Sequence, residues 1–242
     1  MEKVIFNWSG GKDSALALYK IQKEAKLTPI CLLTSVSAEF QRISMHGVRR
    51  ELLIEQAKNI GIPLKVIEIP ESPTMEVYGK SMNEVLQKII NEHQPTSSVF
   101  GDIFLEDLRT YRENKLAEIN LKGVFPLWKI NTKKLILEFL ELGFKTITTC
   151  VNDQFLDQSF VGRIIDKQFI ADLPKNVDPC GENGEFHTFV FDGPIFKKPI
   201  LFDIGEIVHR EYKINKSDDS YDCESDLNSN PPGFYYCDLI PK

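Results

Sequence analysis

The chain has 242 residues, 42% hydrophobic and 26% charged, and a formal net charge of −6. This length suits one large or two small domains with a real core, and the composition is that of an ordinary soluble globular protein. The acidic balance argues against nonspecific nucleic-acid binding, which needs clustered Lys and Arg; the basic pair Arg49-Arg50 shares its helix with Glu51 and Glu55.

In chain order, Val4 to Trp8 reads as a buried strand and Ser14 to Ala25 as a helix. Ile30 to Val36 is a second strand, and Gly47 to Asn59 a helix closed by Gly61. Leu64 to Ile69 is the third strand, Met75 to Asn91 a helix, and Ser98 to Gly101 the fourth strand. Strands separated by such helices need crossover connections, so this half reads as an α/β doubly wound parallel sheet. Its ligand edge lies at the carboxyl ends of the strands, marked by Trp8, Val36 and Gly101.

The pattern changes after Phe125-Pro126-Leu127-Trp128. A helix from Thr132 to Leu142, a strand from Thr146 to Val151 and a helical stretch from Phe155 to Phe169 are expected. An acidic, glycine-rich loop from Asp178 to Glu185 follows, then strands at Phe186 to Phe191, 206–214 and Phe234 to Leu239. The polar stretch 216–232 reads as a long mobile hairpin loop. We therefore expect a nucleotide domain over 1–126 and a smaller C-terminal α+β domain over 127–242 that closes on it.

Ser9-Gly10-Gly11-Lys12-Asp13-Ser14 lies between the first strand and the first helix. Paired glycines allow a tight turn that presents consecutive amides to an anion, and the following helix adds its positive end. Lys12, expected as an exposed loop lysine, adds charge. Ser9 and Ser14 add hydroxyls, and Asp13 is a natural N-cap that could also help hold Mg²⁺. The spacing fits neither a Walker A loop nor a dinucleotide fingerprint. A plain turn and cap would explain the loop only by coincidence, at odds on the order of 10⁻⁵ for six specified residues.

The Ser9–Ser14 loop after the first strand resembles the signature of the PP-loop, or N-type, ATP pyrophosphatases, a HUP-type fold. That resemblance implies a loop that grips departing pyrophosphate while a carboxylate or carbonyl attacks the α-phosphate of ATP. More of the chain, from residue 4 to about 200, is similar to the diphthine–ammonia ligase-like branch. The matching pieces are Ser44-Met45-His46-Gly47, Phe100-Gly101-Asp102-Ile103 with Arg109 and Arg112-Glu113, Phe125 to Trp128, Gly162-Arg163, and Asp178 to Thr188. The form of the Gly181 to Thr188 stretch resembles the bacterial members, for which diphthine on an elongation factor is not the expected substrate.

The resemblance implies ATP and Mg²⁺, a small-molecule or protein-borne carboxylate substrate, and an ammonia donor that is free ammonia or a partner protein. It leaves a homodimer open. Ser9, Gly10, Gly11, Lys12, Asp13, Ser14 and His46 are expected to bind the nucleotide. Asp102 is expected to receive the amine or Mg²⁺, its bland alternative being a helix cap. Arg109, Arg112 and Glu113 share a helix face that meets phosphate or a substrate carboxylate, or else is an exposed ion-pair face. Asn183 and Thr188 are assigned to the substrate. Glu182 and Glu185 would orient ammonia or take its proton, or else form an acidic turn, and His187 would act as acid or base or hold Glu182. Trp128 stacks on substrate or packs in the core.

The five cysteines, Cys31, Cys150, Cys180, Cys223 and Cys237, include no CxxC pair, so neither a disulfide framework nor a zinc site is indicated. With no secretory signal after Met1 and no apolar run long enough for a membrane span, cytoplasmic residence is expected. The rival readings are a tRNA-modifying thiolase, a sulfonucleotide reductase using Cys237, and a nucleotide sensor without turnover.

Overall fold

The computed structural model describes residues 1–43, 46–70, 75–211 and 232–242. Ser44, Met45 and the predicted hairpin loop as far as residue 231 lie outside the described residues. The elements in chain order are β1 (Glu2–Asn7), α1 (Lys12–Glu24), β2 (Leu27–Ser37), α2 (Arg50–Ile60) and β3 (Leu64–Ile69). They continue with α3 (Met75–His93), β4 (Ser97–Val99), α4 (Glu106–Ala117), β5 (Lys122–Val124) and α5 (Thr132–Glu141). The rest are β6 (Lys145–Asn152), α6 (Lys167–Asp172), β7 (Phe186–Asp192), β8 (Phe202–Glu211) and β9 (Gly233–Pro241).

Five parallel strands form the first sheet in the order β3-β2-β1-β4-β5. β1 lies at its centre, and Val4, Ile5 and Phe6 have no exposed surface, as a parallel strand covered on both faces requires. The chain leaves β1 for β2 on one side, whereas β4 lies on the other. A crevice therefore opens beyond the carboxyl ends of β1 and β4, the switch point where doubly wound sheets bind ligands. Asn7 ties the two strands just before it, donating to Ser98 Oγ at 2.8 Å and to Val99 O at 2.9 Å.

The second, smaller sheet is antiparallel, in the order β7-β6-β9-β8. One apolar core runs from Phe6 and Leu16 through Phe139 of α5 to Phe189 and Leu239 of the second sheet. A separate cluster on the opposite face of the first sheet joins Ile5, Cys31 and Ile67 to Ile89 of α3. The doubly wound sheet and its smaller partner are thus as expected, with β8 and β9 forming an antiparallel pair around the undescribed segment.

Several local expectations need correction. Phe155–Phe169 is not a helix: it holds only a 3-10 turn at Gln158–Phe160 before α6 begins at Lys167. Thr148 of β6 captures this stretch, accepting from the Gly162 amide on its carbonyl at 2.9 Å and from the Arg163 amide on its hydroxyl at 3.1 Å. Ile164 then bridges to Ile147, so sheet pairing overrides the helical spacing. Helix α1 begins at Lys12 with Gly11 as its N-cap, which moves Asp13 from the cap into the first turn. Asp102 caps nothing, since α4 starts after Leu105 without a side-chain cap. The edge strand β5 was not foreseen, and β8 spans 202–211 rather than 206–214.

Candidate active site

The glycine loop crosses the crevice from β1 to α1 and is held by the edge of the second sheet. Val190 N donates to Gly10 O at 2.9 Å, and Lys12 N donates to Thr188 Oγ1 at 3.0 Å. Gln56 of α2 donates to Gly10 O at 3.0 Å and to Val190 O at 2.7 Å, while it accepts from Trp8 Nε1 at 2.8 Å. This fully buried amide therefore locks loop, first sheet and β7 together. The only hint of Gln56 in the sequence was a polar residue among Leu52, Leu53 and Ala57 on an otherwise apolar helix face.

Both glycines are required. Gly10 takes φ +75°, in the left-handed region. A Cβ on Gly11 would lie 3.1 Å from Thr188 O and 3.2 Å from Thr188 Oγ1, so Thr188 would have to give way by a few tenths of an ångström. Gly101, after β4, presses its backbone against α1 so closely that a Cβ would meet Ser14 N at 3.0 Å. The hydroxyls serve the loop itself: Ser9 Oγ accepts from Gly11 N at 3.2 Å, and Ser14 Oγ donates to Gly11 O at 2.9 Å. The amides of Gly11 and Lys12 are thus matched to hydroxyl oxygens rather than left bare.

Lys12 is not the exposed lysine expected from sequence: 4% of its side chain is accessible. Its Nζ lies 2.8 Å from Asp13 Oδ2 and 5.4 Å from the centroid of the Phe186 ring. Burial opposes its charge, but Asp13 and Glu182 outweigh that and hold the ammonium above its usual range. Asp13, whose side chain is 30% exposed, is pushed above the ordinary carboxylate range by desolvation in the crevice, partly offset by Lys12. Asp102 is shifted the same way by burial and by Asp13, against the pull of Arg112. Arg112 Nη2 donates to Asp102 Oδ1 at 3.5 Å, while its Nε lies 2.9 Å from Asp102 Oδ2 outside hydrogen-bond alignment.

The two glutamates of the acidic loop separate sharply. Glu185 is fully buried and accepts from Asp178 N at 2.9 Å, Asn183 N at 2.9 Å and Asn183 Nδ2 at 3.0 Å. Asp178 in turn accepts from Cys180 N and Glu182 N at 2.9 and 3.2 Å. Glu182 reaches the crevice, where its Oε1 accepts from Ile103 N at 2.8 Å. Burial, with Asp13 and Asp102 nearby, pushes its pKa up to about 7 against the opposing effects of that amide and of Lys12. Asn183 braces Glu185, and Thr188 braces Lys12.

His46 and His187 stack above the glycine loop, with ring centroids 4.4 Å apart and planes at 27°. Burial pulls His46 down to about 4 despite a hydrogen bond to the Thr188 backbone, and burial with His46 and Lys12 pulls His187 well below its usual value. Both rings are neutral at pH 7, and His46 Nδ1 is buried without a hydrogen-bond partner. Arg109 stands further out: it pairs with Glu113 at 2.9 Å and lies between Phe125 and Trp128, 4.8 and 4.6 Å from their ring centroids. Arg109, Arg112 and Glu113 therefore do share a helix, but each has an ion partner within the protein.

Burial pushes the thiols of Cys31 and Cys237 up to about 11 and that of Cys150 to about 12, and Cys180 Sγ donates to Thr132 O. None is poised as a thiolate nucleophile. Among the described residues, no group of three His, Cys, Asp or Glu side chains forms a protein-only metal site, and no helix is long and apolar enough to cross a membrane.

A parallel doubly wound sheet with a glycine loop, buried lysine and helix start at its switch point defines a PP-loop protein. The family model for the diphthamide synthase N-terminal domain matches residues 2–123, and that for the C-terminal domain matches residues 131–218. The chain belongs to this diphthine–ammonia ligase-like family, which makes it an ATP-dependent ligase of the PP-loop type. It is 27% identical over 221 residues to the diphthine–ammonia ligase of Homo sapiens, covering 83% of this chain and 82% of the human protein. It is 26% identical over 222 residues to that of Danio rerio, covering 83% and 86%. Among solved structures, a predicted subunit of tRNA methyltransferase from Methanocaldococcus jannaschii is 20% identical, with a TM-score of 0.39 over 60% of this chain and 77% of that one.

Proposed function

We propose that the protein activates a carboxylate by cleaving ATP between the α- and β-phosphates, then passes the acyl group to ammonia or another amine. One observation carries this reading: the glycine loop with Lys12 and the carboxylate of Glu182 converge on one crevice with opposite electrostatic tasks. A loop whose glycines lie tight against Gln56 and Thr188, a helix start and a buried ammonium suit a polyphosphate. Phosphate oxygens would take the Gly11 and Lys12 amides over from the hydroxyls that hold them in this structure. Burial raises the pKa values of Asp13, Asp102 and Glu182, and Asp13 adds to the shifts of the other two, a negative charge that a cation would relieve. Mg²⁺ bound through Asp13 and Asp102 would supply neutralisation of phosphate charge.

In the first step, a carboxylate oxygen of the substrate bonds to the α-phosphorus, the bond to the β-phosphate oxygen breaks, and pyrophosphate departs into the cradle. Lys12 and the start of α1 stabilise the charge that builds on it. In the second, the amine nitrogen bonds to the acyl carbon, AMP leaves, and the proton of the attacking amine passes to Glu182. A carboxylate with a pKa near 7 is matched to that transfer at neutral pH. Glu185 acts by shaping the loop that presents Glu182. The acyl substrate is a small molecule or a protein-borne carboxylate.

Turnover with ammonium and a cell extract, with the extract alone as blank, followed by phosphorus NMR, tests the reading. AMP and pyrophosphate are expected, and accumulation of ADP and orthophosphate would overturn it. Mass spectrometry of the same mixture would identify the amide.

A further inference from the structure

His46 reaches the glycine loop from a distant part of the sequence, and the grip that puts it there lies on β9. The turn after β2 is pinched shut: Arg42 and Arg49 form an antiparallel bridge, and Ile43 N donates to Val48 O at 2.9 Å. One carboxylate closes this neck from outside. Asp238 Oδ1 accepts from Arg42 Nη1 at 2.7 Å and from Arg49 Nε at 3.0 Å, while Oδ2 accepts from Arg49 Nη2 at 2.6 Å. Arg42 Nη1 also donates to Gly47 O at 2.7 Å, so the same guanidinium grips the residue after His46. Gly47 lies flush on Tyr236, where a Cβ would come within 2.9 Å of the ring. The strand carrying Asp238 and Tyr236 falls beyond residue 218, where the match to the family's C-terminal domain ends.

We propose that Asp238 is a positioning residue for the nucleotide site: by clamping Arg42 and Arg49 it holds His46 stacked on His187 over the glycine loop. The contact is strong for a surface-accessible group. Its geometry on Arg49 is bidentate, 21% of the carboxylate is exposed, and hydrogen bonds from the two arginines hold it far below the usual carboxylate range. It also gives the second sheet a second point of control over the site, besides the bonds that β7 makes to the loop itself. The inference rests on the polyphosphate reading only for its functional consequence, since the placement of His46 can be read without any nucleotide.

The test compares the full chain with Asp238→Asn, Asp238→Glu and Arg49→Gln, the last at a partly exposed side chain whose loss leaves the core intact. The four histidines, His46, His93, His187 and His209, can be followed individually by side-chain NMR. In wild type, His46 titrates near 4, facing His187, Lys12 and the Thr188 backbone. Asp238→Asn and Arg49→Gln should both move His46 towards 6.5 and remove its ring-current shift, leaving His93 unmoved, while Asp238→Glu should restore part of the wild-type signal. An unchanged His46 in both clamp variants would overturn the proposal, whatever the nucleotide does.

Calorimetry with inorganic pyrophosphate reads the consequence. Asp238→Asn should weaken binding roughly tenfold, in keeping with the cost of misplacing one contact at a built site. In a His46→Ala background the same substitution should add less than about twofold, because residues acting through one group are not additive. Full additivity would reduce Asp238 to a general structural role and overturn the positioning claim. Failure of the wild type to bind pyrophosphate, with His46 still released by the clamp variants, would count against the ATP reading alone.

Discussion

The glycine loop at Ser9–Ser14 and the acidic loop at Asp178–Thr188 meet at the carboxyl ends of β1 and β4, but they are built by opposite means. In the glycine loop, backbone geometry makes the site: the hydroxyls of Ser9 and Ser14 bond within the loop, and Lys12 supplies the one buried cation. In the acidic loop, side chains make the backbone: Glu185 collects three N–H donors and Asp178 two, leaving Glu182 to face the crevice. Two glutamates three positions apart thus have different work. What separates them is the number of donors each has already met.

This contrast fails if substitutions in the two loops have the same effect. The largest loss is expected for Lys12→Ala, with turnover down about 10³-fold, in the range for removing a fixed donor from a charge-stabilising site. Because Lys12 is buried against Asp13, its removal should also cost about 1–2 kcal/mol in denaturant unfolding, allowing for the partial exposure of Asp13. Unchanged stability would return Lys12 to the exposed position expected from sequence.

Glu182→Gln comes next. It keeps an acceptor for the Ile103 amide but removes the base, so amide formation should fall roughly 10²-fold while pyrophosphate affinity stays near wild type. Wild-type rate should rise with pH through about 7 and level off, a limb absent from the variant. Stability carries the matching sign. A carboxyl whose folded pKa lies above its unfolded value of 4.5 destabilises the fold progressively as pH rises between 4.5 and about 7, and the loss is constant above that. Melting temperatures of variant and wild type should therefore agree near pH 4.5 and separate in favour of Glu182→Gln by pH 8.

Glu185→Gln should reverse the balance. Its cost of about 1–3 kcal/mol in unfolding free energy reflects a buried acceptor exchanged for a misplaced donor, and any loss of rate follows from the loosened loop. A Glu185→Gln protein with wild-type stability and a hundredfold rate defect would give this residue the chemical role assigned here to Glu182. The smallest effect is expected for Arg109→Ala: its pair with Glu113 is an i, i+4 pair at the rim, worth about 0.3–0.5 kcal/mol, and kcat/KM should change by less than roughly threefold.

Much of this was legible beforehand, for identifiable reasons. Apolar runs such as Val4–Phe6 are diagnostic of buried parallel strands, and a six-residue glycine loop carries its chemistry in contiguous sequence. Lys122-Gly123-Val124 has a single large apolar residue, so β5 had no pattern to show. Phe155–Phe169 had helical spacing, but its backbone bonds go to Thr148, a partner only the folded chain reveals. The site divides the same way. Lys12, Glu182 and His187 were visible as residue types in motifs, whereas the lock of Gln56, the burial of Lys12 and the bracing role of Glu185 depend on contacts across more than one element.

Calorimetric titration of wild type, Lys12→Ala and Glu182→Gln with inorganic pyrophosphate tests the central division of labour most directly. The account predicts binding to wild type, near-equal binding to Glu182→Gln, and binding to Lys12→Ala weakened about a hundredfold or more, as expected for losing the single buried cation of the cradle. Equal weakening in both variants, or wild-type affinity in Lys12→Ala, would contradict it.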